Sequence, residues 1–235
     1  MLKKLTVGTK NEYSRLEWLE KTLKKIPQKS RILDAGAGEL KYKDLCEHLK
    51  YVSQDFGKYD GAGDGIGKQT KEWNNSILDI ICDITDIPEK DDSFDAIMCI
   101  EVFEHLPDPI SAIKEFSRLL QEEGHLIITA PFCSLTHFSP YHFYTGFNKN
   151  FYVNHLSDYG FKIIDIQPNG NYFEYIAQEL RRLNSVAKKY SNKNLKIYEK
   201  LMIKTFLYSL EKLSKNDHGS SELLNFGYFV HAIKK

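Results

Sequence analysis

The stretch Leu33-Asp-Ala-Gly-Ala-Gly-Glu-Leu40 decides the fold. With Arg31-Ile32 before it, an apolar run ends in an acid, passes two closely spaced glycines and enters a helix-forming segment at Glu39. That order reads as strand, tight turn and helix start, the place where an open α/β sheet admits a ligand. Gly36 and Gly38 carry no Cβ, so the backbone there can approach a bound molecule closely. Asp34 stands at the carboxyl end of the strand. A dinucleotide fingerprint would need glycine three residues after Gly38, where the chain has Lys41. Asp34 and Glu39 also oppose a pyrophosphate at a helix N-terminus. A cationic or hydroxylated ligand suits the turn better, and a purely structural turn is the bland alternative.

Outward from this turn, apolar β-type runs alternate with helical patterns. Strands are expected near 31–35, 50–55, 78–83, 94–100, 124–130, 161–167 and 226–233. Helices are expected near 12–25, 40–49, 108–122 and 148–159. Such alternation calls for a parallel sheet with right-handed crossovers. Pro107 and Pro109 bound the start of the 108–122 helix and Gly124 its end. Much of 173–216 is helical in pattern, and the polar stretch Lys215–Ser221 reads as a return loop.

With 235 residues and 42% hydrophobic content, a single α/β domain over 1–235 is expected, with 173–216 as an elaboration. Lys plus Arg equals Asp plus Glu, so no global field recruits nucleic acid or membrane. Cys46, Cys82, Cys99 and Cys133 lack metal-ligand spacing. No signal peptide follows Met1, and no run is long and apolar enough to span a bilayer. The expectation is a reduced, cytoplasmic chain with no transmembrane segment.

Four successive strands end in an acid or have one just beyond: Asp34, Asp55, Asp83 and Glu101. In a parallel sheet these ends share one edge, so the four converge on one crevice. With these residues the chain resembles the class I S-adenosylmethionine-dependent methyltransferases, whose first motif reads (D/E)-x-G-x-G-x-G. Asp34, Gly36 and Gly38 match it, and Leu40 departs where a third glycine is often found. The likeness runs over about 30–167, with Asp92–Glu101 resembling the family's fourth strand and Gly124–Pro131 its fifth.

The resemblance implies an α/β, Rossmann-like seven-stranded sheet, mostly parallel with one antiparallel edge strand, and a helical insertion between strands six and seven. It implies S-adenosylmethionine as cofactor, bound by Asp34, Gly36, Gly38, Asp55, Asp83, Ile84 and Glu101. Asp55 would hold the ribose hydroxyls, Asp83 the adenine amino group, the Ile84 amide a ring nitrogen, and Glu101 would lie by the methionine portion.

Glu101-Val-Phe-Glu104-His105 follows the fourth strand, and the i, i+3 and i, i+4 spacings would gather its three polar side chains on one helical turn. The pattern resembles the metal-dependent small-RNA 2′-O-methyltransferases and ubiquinone-pathway O-methyltransferases. That likeness implies a divalent site, Mg²⁺ or Mn²⁺, made of Glu101, Glu104 and His105 with His142 or His137. A metal-free base at His105 and a purely structural pentapeptide remain alternatives.

The segment Thr136-His-Phe-Ser-Pro-Tyr-His-Phe-Tyr-Thr-Gly-Phe147 is dense in rings that can stack on a sugar or heterocycle. His105, His142 and Glu104 are the catalytic candidates; His137, Tyr141, His142 and Tyr144 are the substrate-side candidates. Through Gly160-Phe-Lys-Ile the chain resembles bacterial methyltransferases of surface-glycan and secondary-metabolite clusters. The implied reaction is O-methylation of a small acceptor, a sugar or nucleotide-sugar hydroxyl. N- or C-methylation, an NAD-dependent oxidoreductase and a non-catalytic cofactor-binding module are the rivals.

Asp55–Gly67 holds five glycines and reads as a mobile loop over the cofactor, since Ala62 and the missing twelfth-position Glu rule out a calcium loop. Tyr13 and Arg15 belong to the N-terminal helix, where Arg15 reads as a solvated residue, with a contact to the cofactor carboxylate as the alternative. Residues 173–216 hold ten Lys or Arg against four Glu. They read as an amphipathic helical cap or homodimer surface with a solvated basic face, and attraction of an anionic acceptor, such as a nucleotide sugar, or of a membrane surface is the sharper alternative.

Overall fold

A computed structural model describes residues 5–235. The strand β1 (Arg31–Ala35) pairs in parallel with β2 (Lys50–Asp55) on one side and β4 (Phe94–Ile100) on the other. Beyond β2 lies the two-residue β3 (Ile80–Ile81), and beyond β4 lies β5 (Leu120–Pro131), both parallel to their neighbours. The last strand, β7 (Gly227–Lys234), runs antiparallel to β5 and has β6 (Phe161–Asn169) on its far side. The seven-stranded order is therefore β3-β2-β1-β4-β5-β7-β6, a Rossmann-like sheet with its antiparallel strand one place in from the edge.

The apolar run Ala96-Ile97-Met98-Cys99 in β4 is fully buried because helices and loops cover both faces of a parallel sheet. The helix α1 (Asn11–Leu23) buries Trp18, Leu19 and Leu23. Asp108 caps α2 (Pro109–Leu119) by accepting from the Ile110 and Ser111 amides, and Pro109 occupies the first turn, where its missing N–H costs nothing. Asn148 caps α3 (Lys149–Asp158) in the same way.

Three expected elements change. The helix near 40–49 is only a short 3₁₀ turn, Lys43–Cys46. Leu40 has φ +58°, a left-handed residue that cannot continue a right-handed helix, and Lys50 is already paired with Arg31. The helix expected to run to 122 stops at Leu119, because Leu120 pairs with Phe94 and begins β5. The strand expected at 78–83 shrinks to Ile80–Ile81.

The chain gathers into two compact units. Glu17–Gln167 with Gly227–Lys235 carries most of the sheet and the acids of its carboxyl edge. Pro168–Phe226 with the segment up to Leu16 forms the other unit. Its helices α4 (Tyr172–Ser191) and α5 (Ile197–Lys215) resolve the pattern read over 173–216. Ala177, Leu207 and Leu210 close over Val7, while Arg181 Nε donates to the Val7 carbonyl at 2.8 Å.

Candidate active site

The turn after β1 wraps onto the end of β2. The Gly36 and Ala37 amides both donate to the Gln54 carbonyl at 2.8 Å. The Gln54 side chain donates to the Cys82 carbonyl at 2.8 Å, tying the turn to the strand beyond. Gly36 and Gly38 have φ +82° and +51°, the left-handed region that favours glycine. A Cβ on Gly36 would come within 2.5 Å of Val102, and one on Gly38 within 2.5 Å of the Trp73 ring. Both glycines are thus required by conformation and by close approach.

Asp55 is buried beside this turn, its two oxygens accepting from the Gly38 amide at 3.1 Å and the Gly57 amide at 3.0 Å. Burial raises its pKa against the lowering effect of those amides. Asp34 is only 1% exposed and accepts from the Tyr51 hydroxyl at 2.6 Å. Burial pushes its pKa up to about 7, with Tyr51 opposing and the Asp55 charge adding to the rise. The Asp34 carboxylate is therefore buried at the end of β1, with the Tyr51 hydroxyl as its hydrogen-bond partner. Asp83 is exposed and accepts from the Thr85 amide and hydroxyl at 2.9 and 2.8 Å, while Ile84 beside it is buried in the core.

Residues 101–105 do not form the expected helical turn. Glu101 has φ +58°, and only Phe103–His105 close a 3₁₀ turn. Glu101 consequently accepts from the Thr129 hydroxyl at 2.9 Å and stands outside the cluster of ligand atoms. Among the described residues, the grouped atoms belong to Glu104, His105 and His137, all within 4.8 Å of one another. Of the expected ligands, Glu101 falls outside this set, and of the two alternatives for the fourth place His137 is in it and His142 is not. His142 still flanks it, with ring centroids 4.8 Å from His137 and 5.9 Å from His105, and bonds Ser134 Oγ at 3.1 Å.

The protonation pattern follows from the partners. His105 Nδ1 lies 2.5 Å from the Tyr141 carbonyl and His137 Nδ1 lies 2.8 Å from the Leu135 carbonyl. A carbonyl only accepts, so each Nδ1 carries hydrogen and each Nε2 is left for the interior of the cluster. Glu104 Oε2 and His105 Nε2 are buried there with no hydrogen-bond partner, a costly state for two polar atoms. Glu104 Oε1 sits 3.7 Å from Nε2 of both His105 and His137.

Burial raises the Glu104 pKa, opposed by the nearby His137 ring and reinforced by Glu101. For His105, burial and the neighbouring His137 lower the pKa to about 3. Burial also lowers the pKa of His137, but the nearby Glu104 carboxyl and the bond to the Leu135 carbonyl outweigh that and the net change is upward. His142 is lowered by burial and by His137. A carboxylate oxygen and two imidazole nitrogens in this arrangement are a donor set suited to a divalent cation of the first row.

The aromatic loop is anchored over this cluster, with the Phe143 amide donating to the Glu104 carbonyl at 2.9 Å and the Tyr144 hydroxyl to the Pro107 carbonyl at 3.1 Å. Tyr141 meets Phe56 edge-on at 4.9 Å. The glycine-rich segment expected to be mobile is stitched to the same loop. Lys68 exchanges backbone bonds with Thr136 and Phe138, and the Ser139 hydroxyl donates to Asp64 at 2.8 Å.

Sequence reasoning missed Trp73, Tyr59 and Phe56. Trp73 contacts Tyr59 and Phe138 at 5.3 and 5.6 Å, and Phe138 stacks on His105 at 5.1 Å. A run of rings therefore joins the glycine turn to the histidines. The only advance signal was Trp73 itself, one of two tryptophans, standing in an otherwise polar stretch.

Comparison with known proteins gives a family and a fold. The family described as a methyltransferase domain matches residues 9–184. An uncharacterized protein of Methanocaldococcus jannaschii is 32% identical over 123 residues, covering 44% of this chain and 54% of that protein. The ubiquinone biosynthesis O-methyltransferase of Alkalilimnicola ehrlichii is 47% identical over 36 residues, 15% of each chain. The chain thus spans about half the length of the first relative and far less of the second. Phosphoethanolamine N-methyltransferase 2 of Haemonchus contortus, solved with S-adenosyl-L-methionine, shares the fold. Its TM-score is 0.54 at 15% identity, over 95% of this chain and 52% of that one.

Proposed function

The chain belongs to the class I S-adenosylmethionine-dependent methyltransferases, and from that premise we propose that it O-methylates a small hydroxylated acceptor, a sugar or nucleotide sugar. The observation that carries this reading is the Glu104–His105–His137 cluster, whose ligand atoms lie within 4.8 Å just past the end of β4. Bound at the glycine turn, the cofactor's sulfonium supplies an electrophilic methyl group. Asp55 would accept hydrogen bonds from the ribose hydroxyls, Asp83 and the Ile84 amide would meet the adenine, and Gly36 and Gly38 would leave room for the backbone to approach.

Transfer to oxygen needs an acceptor hydroxyl aligned with the methyl group and relieved of its proton. Tyr141 and Tyr144 flank the acceptor ring from the aromatic loop. His142 takes the hydroxyl proton, since its lowered pKa keeps it neutral near pH 7. Glu104, His105 and His137 would hold a divalent ion, Mg²⁺ or Mn²⁺, acting there as a Lewis acid on acceptor oxygens. The buried, unpartnered Glu104 Oε2 and His105 Nε2 support that assignment.

The test is a methyl-transfer screen over nucleotide sugars, repeated after EDTA treatment with the metal content verified. Methylated sugar product whose formation stops on metal removal and returns with Mn²⁺ or Mg²⁺ is the expected result. Product methylated on nitrogen or carbon, or cofactor binding without turnover on any acceptor, refutes the O-methylation reading. Turnover unchanged in the metal-free protein refutes the metal.

A further inference from the structure

The helix α5 turns two apolar faces in different directions. Ile203, Leu207 and Leu210 pack with Val7 and Ala177 inside their unit. On the opposite arc Ile197, Leu201, Met202 and Phe206 are 88, 63, 66 and 63% exposed, with Tyr208 and Leu213 also in solvent. At 100° per residue these six spread over half the circumference away from Leu207. A row of this size is not needed for the fold and exceeds the scattered apolar residues of an ordinary surface.

The charges on the same arc are of one sign. Lys212 lies within it and Lys204 and Lys215 lie along its border. Both acids of the helix are turned to other uses. Glu211 is buried and bonds the Thr6 amide and Lys215, while Glu199 folds back on the Lys196 amide. Across 173–216 the cationic surplus is six.

A second copy of the chain would set this positive surface against itself. An acidic soluble protein would satisfy the lysines and leave the six large apolar side chains without a reason. An anionic lipid surface satisfies both, because apolar side chains enter the headgroup boundary while lysines extend to the phosphates. No described helix is long and apolar enough to cross a membrane, so the contact would run along the helix face.

We propose that α5 is a membrane-surface helix that seats the chain on anionic bilayers through Leu201, Met202, Phe206 and their flanking lysines. Each lysine near such a surface is worth about 1 kcal/mol, and every 1.4 kcal/mol is tenfold in partitioning. The full chain is tested by co-sedimentation with phosphatidylcholine vesicles, with and without phosphatidylglycerol. Binding is expected only with phosphatidylglycerol, falling steeply with added salt. Leu201→Ser with Phe206→Ser, and separately Lys204→Gln with Lys212→Gln, should each weaken it at least tenfold. All four side chains are exposed, so helical content and unfolding midpoint should stay as in the parent chain. No binding to anionic vesicles overturns the proposal, as does binding that ignores both double substitutions. A dimer in sedimentation velocity that Leu201→Ser with Phe206→Ser dissolves, in a chain that ignores vesicles, would assign the face to a second copy instead.

Discussion

The substitution Asp34→Asn should stabilise the protein at alkaline pH and change little at acid pH. Asp34 is 1% exposed and its pKa stands at about 7, against an ordinary value of 3.8. Burial is the chief cause, and the 2.6 Å bond from Tyr51 only partly offsets it. Below the unfolded pKa the group is protonated in both states. Between about pH 4 and 7 the folded state holds a proton that the unfolded state has lost, so stability falls as pH rises through that window. Above it the full cost of the buried carboxylate is present. Three units at 1.36 kcal/mol each set an upper bound of about 4 kcal/mol, and local relaxation reduces it to about 2–4 kcal/mol. An asparagine amide at this position keeps an acceptor for Tyr51 and carries no charge. Urea unfolding followed by tryptophan fluorescence suits the question, because both tryptophans, Trp18 and Trp73, lie in the same unit as Asp34. The Asp34→Asn chain should match the parent near pH 3, below the unfolded pKa, and exceed it by about 2–4 kcal/mol near pH 8. An equal difference at both pH values would refute the burial account of Asp34.

Gly38→Ala forces a side chain into φ +51° and against Trp73, at a cost of about 1–3 kcal/mol. Calorimetry should show cofactor affinity reduced at least tenfold, and unchanged affinity would contradict the role given to the turn. Glu104→Gln removes the anionic donor of the histidine cluster, so Mn²⁺ affinity read by electron paramagnetic resonance should drop by about 10–100-fold; full retention would place the ion elsewhere. His142→Ala should lower kcat by about 10²–10⁴ with little change in KM for the cofactor, and an unaffected kcat removes it as proton acceptor. His231 has its pKa lowered to about 4 by burial and by His125, so the unfolded state binds the extra proton between about pH 6.5 and 4. Stability should therefore be lost as pH falls through that window, by about 2 kcal/mol from this residue, and His231→Asn should flatten the slope in a thermal-melt series.

What the sequence made legible follows what local physics dictates. The apolar runs of β1, β4 and β5 announced themselves because buried parallel strands need unbroken hydrophobic sequence. The acids at the strand ends followed from topology, once the strands were known to be parallel. The helix after Gly38 failed because Leu40 takes a left-handed conformation that its residue type does not advertise. The same physics misled the spacing argument at Glu101, whose φ of +58° breaks the i, i+4 geometry and turns its carboxylate to Thr129. The choice between His137 and His142 stayed open in the sequence, because a loop contact 33 positions along the chain from Glu104 is encoded by no local pattern. Trp73 was invisible for a related reason: its meaning lies in the space above Gly38, created only when the 57–76 segment pairs with the aromatic loop.

The central claim is that the Asp34–Gly38 turn and Asp55 form a site for S-adenosylmethionine. Isothermal titration of the purified chain with S-adenosylhomocysteine, and in parallel with NAD, tests it most directly. One-to-one binding of S-adenosylhomocysteine at micromolar concentration, lost in Asp55→Ala, with no heat from NAD, is the expected result. Undetectable binding of S-adenosylhomocysteine at millimolar concentration, with NAD binding in its place, would contradict it.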